Sequence, residues 1–499
     1  MQTFVIQLLF LGSTTHRTDV SKKNIILFIG CILIGLYIGL AGFVRWGDEL
    51  PPQITLQQPF LQVGPATLLA IHIEDLDTGL QDISIHIEQN LETFPLAKEQ
   101  FSSHGPLSID GGEQHTYDIE LIPFADDTLP KRRGRAKLVI QASDYSWRNF
   151  FGGNTTRFEQ EFSVKFTPPR LEVLSSHDPI PQGGSGLVFY RVSEDAQSHG
   201  VQIGEAFFPG YPTPDESREF SLIAVPHDLS PKQPIQLIAE DGLGNNAILN
   251  LDYKIRKKSW RTRRIKITDR FIQQTVMPII HHTPELQDQG ENLKNFILVN
   301  NSLRKQNNQQ LQELSQKTQS EFLWKGAFLQ LSKSQVEAAF ADHRRYIYKG
   351  RSVDTQDHLG FDLAVTKQYP VEATNSGEVI FANYLGIYGN SIVIDHGHGL
   401  QSLYAHLSSF DVKEGDWVEK GQSIARTGTT GLAAGDHLHF SLLLHGVQVN
   451  PTEWWDPQWV KTRISDRLHL RFQDEPTIGI DEVIGPPPPT REIPFFEIN

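Results

Sequence analysis

A run of 20 uncharged residues extends from Ile25 to Val44, and nearly all of them are apolar. An α-helix rises about 1.5 Å per residue, so a run of this length matches a hydrocarbon core of about 30 Å. It predicts a transmembrane helix over residues 25–44. Because basic residues precede the run, the positive-inside tendency places residues 1–24 in the cytoplasm and the rest of the chain across the membrane. Those basic residues are Arg17, Lys22 and Lys23.

Two other interpretations of this run compete with a spanning helix. A cleaved signal peptide has a shorter apolar core and a small-residue cleavage site, and no convincing site of that kind is present. A lipoprotein cleavage site could lie at Phe28-Ile29-Gly30-Cys31. The apolar run continues well beyond Cys31, however, which favours a helix that spans the membrane.

Composition limits the kinds of function that the chain can have. With 499 residues the chain is too long for one core, and about three domains are expected. The net charge of −14 argues against nucleic acid as a partner, because phosphate binding needs a positive surface. Cys31 is the single cysteine, which excludes a disulfide framework and a cysteine-rich metal site. Any metal must therefore be bound by His, Asp, Glu or water.

The chain beyond the apolar run is organised into strand-rich and helical stretches. Residues 51–168 and 169–256 show period-two alternation with frequent turn residues, which predicts two β-sandwiches with a weak resemblance to immunoglobulin-like modules. Residues 264–345 change to helical spacing and predict a helical connector, with Asp269 as a helix N-cap and Pro278 as a stop. The proline-rich stretch within residues 473–499 predicts an extended or disordered tail.

Pairs of potential metal ligands recur between residues 346 and 460. His358 and Asp362 are four residues apart, and His437 and His439 share one face if they lie in a strand. Two histidines, one carboxylate and an open position are typical of catalytic zinc, whereas Ca²⁺ and Mg²⁺ prefer oxygen ligands. Mn²⁺ or Co²⁺ could replace zinc in such a site. Spacing alone therefore leaves the metal open.

Further histidines surround these pairs. Tyr404 and His406 lie in a strand-like stretch, and alternation places them on one face. His396 and His398 fall in a glycine-rich turn and His445 falls in another turn, so all three are interpreted as solvent-exposed turn residues and not as ligands.

Six motifs in this region, taken together, resemble the lysostaphin-type zinc endopeptidases, which cut peptide cross-links in bacterial cell walls. The resemblance covers about a quarter of the chain, and the motifs occur in the order of that family. They are His358-Leu-Gly-Phe-Asp362, Tyr388-Gly-Asn-Ser-Ile-Val-Ile394, Tyr404-Ala-His-Leu-Ser408, Gly415-Asp-Trp-Val-Glu-Lys-Gly-Gln422, Thr427-Gly-Thr-Thr-Gly431 and His437-Leu-His-Phe440.

The resemblance implies a zinc endopeptidase domain of antiparallel β structure over residues 346–460. It implies that His358, Asp362 and His439 bind Zn²⁺, and that His406 and His437 are catalytic residues that do not bind the metal. Tyr388 and Asn390 would belong to the floor of the substrate groove. Ser441 stands where relatives often have Glu, at a position that is neither ligand nor catalytic in the family. A second likeness, of Val412–Gln422 to a hairpin of biotinyl or lipoyl carriers, lacks the lysine that those carriers modify.

Together these features predict a multi-domain, mainly β protein with one N-terminal transmembrane helix. The expected function is that of a membrane-anchored zinc endopeptidase that hydrolyses the stem-peptide cross-links of peptidoglycan. The expected location is a bacterial inner membrane, crossed once, with the C-terminal part in the periplasm. One alternative is a non-catalytic scaffold or an activator of other wall hydrolases that uses the same groove. Another is an enzyme whose groove is covered by the connector or a β-sandwich until a partner moves it.

Overall fold

The computed structural model describes residues 22–103, 111–125, 129–174, 178–215 and 217–470. The chain divides into two compact units, Met1–Thr167 and Pro168–Asn499. The predicted tail at residues 473–499 lies outside the described residues, and so does the predicted cytoplasmic N-terminus apart from residues 22–24.

A long helix, α1 (Lys22–Gly47), opens the described part of the first unit. Its stretch Ile26–Gly47 has a mean hydropathy of 2.5 and buries none of its apolar window against the protein. The residues predicted to cross the membrane are therefore helical and carry their apolar side chains on the outside.

Two β-sheets complete the first unit. Strands β1, β3 and β6 form the smaller sheet, and the larger sheet has the order β2-β8-β7-β4-β5. Isoleucines on alternate positions of β3 and β4 point into one core between the two sheets. The elements are β1 (Gln53–Leu56), β2 (Gln62–Val63), β3 (Leu69–Glu74), β4 (Leu80–Gln89), β5 (Glu92–Gln100), β6 (Thr116–Leu121), β7 (Gly134–Asp144), α2 (Arg148–Phe151) and β8 (Thr155–Val164).

The second unit begins with two four-stranded sheets and a short parallel pair, β10 with β18. The sheets have the orders β14-β15-β11-β9 and β13-β12-β16-β17. Their strands are β9 (Leu171–Val173), β10 (Ile180–Pro181), β11 (Ser185–Val192), β12 (Ser198–Ile203), β13 (Ala206–Pro209), β14 (Tyr211–Pro212), β15 (Glu219–Ala224), β16 (Ile235–Glu240), β17 (Asn246–Leu251) and β18 (Ile255–Arg256).

The interval 264–345 is helical only in part. It contains α3 (Asp269–Phe271), a π-helix (Ile272–Val276), α4 (Met277–His282), α5 (Asn292–Ile297), a second π-helix (Leu298–Leu303) and α6 (Arg304–Leu314). Strands occupy both ends of the interval: β19 (Thr262–Ile267), β20 (Gln335–Ala338) and β21 (Asp342–Tyr348).

Two details of the predicted connector are wrong. Thr268, and not Asp269, is the N-cap, because its hydroxyl accepts from the backbone N–H of Phe271. Pro278 does not stop the helix: the π-helix Ile272–Val276 runs directly into α4, and the proline lies in the first turn of α4.

One large antiparallel sheet dominates the rest of the second unit, in the order β20-β23-β30-β27-β26-β25-β28. Its remaining strands, with the adjoining strands of this region, are β22 (Arg351–His358), β23 (Phe361–Ala364), β24 (Pro370–Glu372), β25 (Gly377–Tyr384), β26 (Asn390–Asp395), β27 (Leu400–Phe410), β28 (Trp417–Val418), β29 (Ser423–Thr427), β30 (Leu438–Leu444) and β31 (Val447–Val449). A 3-10 turn (Gly386–Tyr388), α7 (Pro451–Trp455), α8 (Pro457–Val460) and a π-helix (Lys461–Ser465) complete it.

The sheets of residues 169–256 and the large sheet share one hydrophobic core. Helix α7 joins them, because Glu453 accepts from the backbone N–H of Ser185 at 2.7 Å. The indole N–H of the fully buried Trp454 donates to the hydroxyl of Ser185 at 3.0 Å. The second predicted β-sandwich is therefore packed as part of the same unit as the predicted peptidase domain.

The turn histidines predicted to be exposed are in fact covered. His396 is completely buried, and His398 is 3% exposed; His445 is half-buried. The ring of His398 packs on Phe322, with ring centroids 4.2 Å apart. The prediction failed because the turn packs against residues distant in sequence, which local glycine content does not reveal.

The burial of His398 predicts a loss of stability in acid. Burial, assisted by nearby His445, lowers the pKa of His398 to about 4. The unfolded chain therefore binds more protons between pH 6.5 and 4, and stability is lost as the pH falls through this window. In His398→Phe, the drop in unfolding free energy from pH 7 to pH 4.5 should shrink by about 2 kcal/mol. Urea titrations at both pH values measure this, and the exposed His281→Phe is the control, whose drop should match that of the parent.

Candidate metal centre

Three side-chain atoms meet where the end of β22 reaches the paired strands β23 and β30. The Nε2 atom of His358 lies 2.9 Å from Oδ1 of Asp362 and 3.0 Å from Nδ1 of His439. Nδ1 of His439 lies 2.9 Å from the same carboxylate oxygen. Antiparallel pairing places Asp362 directly opposite His439, and this register brings two side chains 77 residues apart into contact.

Hydrogen bonds behind the two histidines fix which nitrogen faces the centre. Nδ1 of His358 lies 3.0 Å from the carbonyl oxygen of Ala339, which can only accept, so this nitrogen carries the proton. The Ser441 hydroxyl donates to the carbonyl of Leu359, and its oxygen therefore accepts from Nε2 of His439 at 3.1 Å. Both rings consequently turn an unprotonated nitrogen towards Asp362.

Asp362 is held by an arginine on its other side. Nη2 of Arg344, on β21, donates to Oδ2 of Asp362 at 2.6 Å, so Oδ1 remains directed at the two histidines. Burial opposes ionisation of this carboxyl, but the charge of its neighbours, Arg344 among them, outweighs it and holds the pKa of Asp362 well below its usual range. Burial also lowers the pKa of His358 to about 4. The set is therefore one carboxylate with two neutral imidazoles.

This set fits a zinc ion. Three lone pairs at 2.9–3.0 Å from one another repel unless a cation lies between them. Ligands of tetrahedral zinc, at about 2.0–2.2 Å from the metal, lie roughly 3.3 Å apart, so a small outward movement would admit the ion. The hydrogen bonds from each imidazole to a carbonyl or hydroxyl oxygen are those that orient metal-binding histidines.

His406 reaches the same site from β27. Its backbone has a left-handed φ of 61°, which interrupts the alternation of the strand. Its ring lies 4.9 Å from that of His437 and 5.7 Å from that of His439, whereas Tyr404 packs on Phe440. The prediction that Tyr404 and His406 share a face is therefore wrong, because the positive φ turns His406 to the opposite side.

The loop at Thr430 orients His406. The carbonyl oxygen of Thr430 lies 2.8 Å from Nδ1 of His406, so Nδ1 carries the proton and Nε2 is free to accept one. Gly389 has a φ of 67°, and a Cβ there would lie 2.4 Å from the backbone of Thr430. Only glycine allows this close approach of the two loops.

His437 adds a second imidazole with the same arrangement. Its Nδ1 lies 2.8 Å from the carbonyl oxygen of Gly435, and its Nε2 lies 3.6 Å from Oδ1 of Asp362. Both His437 and His439 approach Asp362, as strand alternation predicts. Burial would lower the pKa of His437, but the Asp362 carboxylate and the Gly435 carbonyl raise it overall.

The two residues predicted for the groove differ in their surroundings. Tyr388 is buried under α6, where its hydroxyl donates to Asn308 at 2.9 Å and accepts from Gln448 at 3.2 Å. Asn390 is half-buried, and its backbone N–H donates to the hydroxyl of Thr430. The ring of Tyr388 lies against that of His439, at 5.6 Å between centroids.

Sequence reasoning missed three contributors to the site. Thr430 lies within a quoted motif, so its position was visible although its role was not. Ser441 had been set aside as neither ligand nor catalytic, yet it holds the second nitrogen of His439. Arg344 lies outside every motif, and no sequence signal identifies it.

Known proteins are similar to this chain in the region that holds the site. The model described as "Peptidase family M23" matches residues 356–451. The DD-carboxypeptidase/endopeptidase Mpg of Neisseria meningitidis is 42% identical over 94 residues, which are 19% of this chain and 22% of that protein. The peptidoglycan DD-endopeptidase ShyB of Vibrio cholerae is 36% identical over 116 residues, which are 23% of this chain and 26% of that protein.

A third relative matches along nearly all of its sequence. The lipoprotein NlpD of Yersinia enterocolitica is 39% identical over 94 residues, which are 19% of this chain and 96% of that sequence. The match thus spans about a fifth of the Neisseria relative but almost the whole Yersinia sequence. Through residues 356–451 this chain belongs to peptidase family M23, the lysostaphin-type metallopeptidases of bacterial cell walls.

Proposed function

We propose that the protein is a membrane-anchored zinc endopeptidase that hydrolyses the peptide cross-links of peptidoglycan. The observation that carries the proposal is the convergence of His358 Nε2, Asp362 Oδ1 and His439 Nδ1 within 3.0 Å. The substrate class is supported by the relatives, two of which are named peptidoglycan DD-endopeptidases.

Two groups of residues would take part in the reaction, one that binds the metal and one that transfers protons. His358, Asp362 and His439 would bind zinc, which supplies Lewis acidity to a peptide carbonyl and activates water near neutral pH. His406 and His437 each fix their Nδ1 proton on a backbone carbonyl and present Nε2 to the site. At Nε2 they can accept a proton from the attacking water, donate one to the leaving amine, or stabilise the oxyanion.

The proposed location rests on α1. The helix has the length and apolarity to cross a bilayer, and basic residues precede its apolar run. We place it in a bacterial inner membrane, with the chain beyond α1 on the periplasmic side, where peptidoglycan lies. A lipoprotein among the relatives supports a place in the cell envelope.

A non-catalytic activator that uses the same groove is the alternative. It is disfavoured because all five positions of the family pattern are present and converge, whereas a binding module has no need of two imidazoles beside a metal set. Whether the groove is covered is a separate question. Tyr388 is buried under α6, so a helix of the predicted connector lies at one side of the site.

The test uses the full chain in detergent, with purified peptidoglycan as substrate. We expect stoichiometric zinc, release of uncross-linked muropeptides seen by mass spectrometry, loss of that release on chelation, and recovery with added zinc. Metal-free protein without hydrolysis would favour the activator. Hydrolysis that survives complete removal of metal would contradict the zinc mechanism. The masses of the fragments would also identify the bond that is cut.

A further inference from the structure

The end of α1 is hydrogen-bonded to the β-sheet part of the first unit, called the first β unit below. Arg45 is only 6% exposed, and its Nη1 donates to the carbonyl oxygens of Thr78 and Tyr145 at 3.0 and 3.4 Å. The hydroxyl of Thr78 donates to Asp48 at 2.8 Å. Three carboxylates attract the Arg45 guanidinium, and one oxygen from each lies within 4.8 Å of the others: Asp48, Asp75 and Asp144. The helix therefore enters the β unit through a buried ionic cluster and not through a flexible linker.

The segment 145–152 packs against the same end of the helix. The backbone N–H of Trp147 donates to the carbonyl of Arg45 at 3.2 Å, and Arg148 pairs with Glu49 at 2.5 Å. A Cβ at Gly42 would lie 2.8 Å from the ring of Trp147, so the indole lies directly on the helix there. The glycine makes this contact possible.

The position of Gly42 sets the depth of Trp147. Gly42 precedes the end of the apolar run at Val44 by two residues, which is about 3 Å along a helix. A side chain in contact with Gly42 must therefore lie at the boundary between hydrocarbon and headgroups when residues 25–44 span the bilayer. Tryptophan is the residue most suited to that boundary, because its ring is apolar and its N–H is polar.

Phe150, in the same segment, points to the outside. It is fully exposed, and its backbone has a φ of 57°, a conformation that bulky residues rarely adopt. A strained backbone that presents a bare aromatic ring is unfavourable in water alone, which suggests a partner for the ring. Phe43 and Trp46, in the last turns of α1, are also exposed, by 78% and 67%.

We propose that residues 145–152 form a second membrane contact beside α1, with Trp147 and Phe150 in the headgroup region of the bilayer. The proposal rests on the proposed membrane anchorage. Lipid is the occupant because the segment is continuous with a helix whose apolar surface is exposed along its length. Arg148 is already paired with Glu49, so the contact needs no anionic lipid. The first β unit is thereby held against the membrane surface in one orientation.

The experiment places an environment-sensitive probe at position 150 of the full chain. Phe150→Cys is combined with Cys31→Ser, labelled with a nitrobenzoxadiazole thiol reagent, and reconstituted into phosphatidylcholine vesicles. We expect blue-shifted emission that is quenched by lipids carrying a nitroxide near the headgroup. Because Phe150 is fully exposed, its replacement should leave the thermal unfolding of the protein unchanged.

The control uses Leu91→Cys in the same Cys31→Ser background. Leu91 is also fully exposed with a positive φ, but it follows β4, which starts beside Thr78 and runs for 10 residues. At about 3.3 Å per residue this separates it from the helix end by roughly 30 Å. Its probe should emit as in water and escape nitroxide lipids.

Three outcomes separate the two proposals. The native Cys31, labelled in the unmodified chain, should be quenched by lipids with a nitroxide deep in the acyl chain. Quenching at Cys31 without quenching at position 150 would overturn the second contact and leave the anchorage standing. Absence of quenching at Cys31 would overturn both. A blue shift at position 150 without lipid quenching would indicate a protein partner and would also overturn the proposal.

Discussion

Replacement of His439 by alanine should abolish zinc binding and peptidoglycan hydrolysis together, whereas His406→Ala should lose hydrolysis and keep the metal. Nδ1 of His439 lies 2.9 Å from Asp362 in the proposed ligand set. The ring of His406 lies beside that of His439 and contributes no atom to the set. Loss of a proton-transfer group lowers kcat by about 10²–10⁴-fold, and loss of the metal removes the Lewis acid altogether.

Zinc content by elemental analysis, combined with muropeptide release, distinguishes these two roles. His396→Ala would not serve as a neutral control, because that ring is fully buried, so the exposed His281→Ala is used. A His439→Ala protein that retains tight zinc would refute the ligand set. A His406→Ala protein with undiminished turnover would remove that residue from the mechanism.

Arg344→Met should weaken zinc binding while leaving the fold in place. The substitution removes the 2.6 Å hydrogen bond to Oδ2 of Asp362 and leaves a buried carboxylate oxygen unpaired. Loss of a group that orients a metal ligand costs about 10–100-fold in metal affinity. Competition with a chromophoric chelator measures the change, and activity should recover when zinc is raised to saturation.

Arg345 provides the matched control for this prediction. It is the next residue on β21 and is exposed, so Arg345→Met should leave zinc affinity unchanged. Arg344→Lys should recover part of the affinity, since a single ammonium can still pair with Oδ2 but lacks the planar guanidinium. Equal zinc affinity in the parent and in Arg344→Met would show that Arg344 does not orient the ligand.

The convergence of His358, Asp362 and His439 could be predicted because short-range spacing and motif order survive in the linear sequence. His358 and Asp362 are separated by a single turn between two strands, and His437 and His439 follow strand alternation. The apolar run likewise determines a helix through its length alone. Such features depend on neighbouring residues and need no knowledge of tertiary packing.

The remaining features depend on contacts between distant segments. Arg344 reaches Asp362 only because β21 pairs with β22 in a defined register. The positive φ of His406 accompanies its bond to Thr430, 24 residues away, and overrides the alternation that the sequence suggests. The burial of His398 and the partly β character of residues 264–345 have the same origin.

The docking of α7 on Ser185 has a consequence for the order of events during synthesis. Ser185 meets Glu453 across 268 residues, and the ribosome adds about 5–20 residues per second. Ser185 therefore waits roughly 15–50 seconds for the helix that completes its core. For most of that interval His439, the last of the proposed zinc ligands, has not been made either. If the proposed function holds, a nascent chain lacks a complete metal site until His439 has been added.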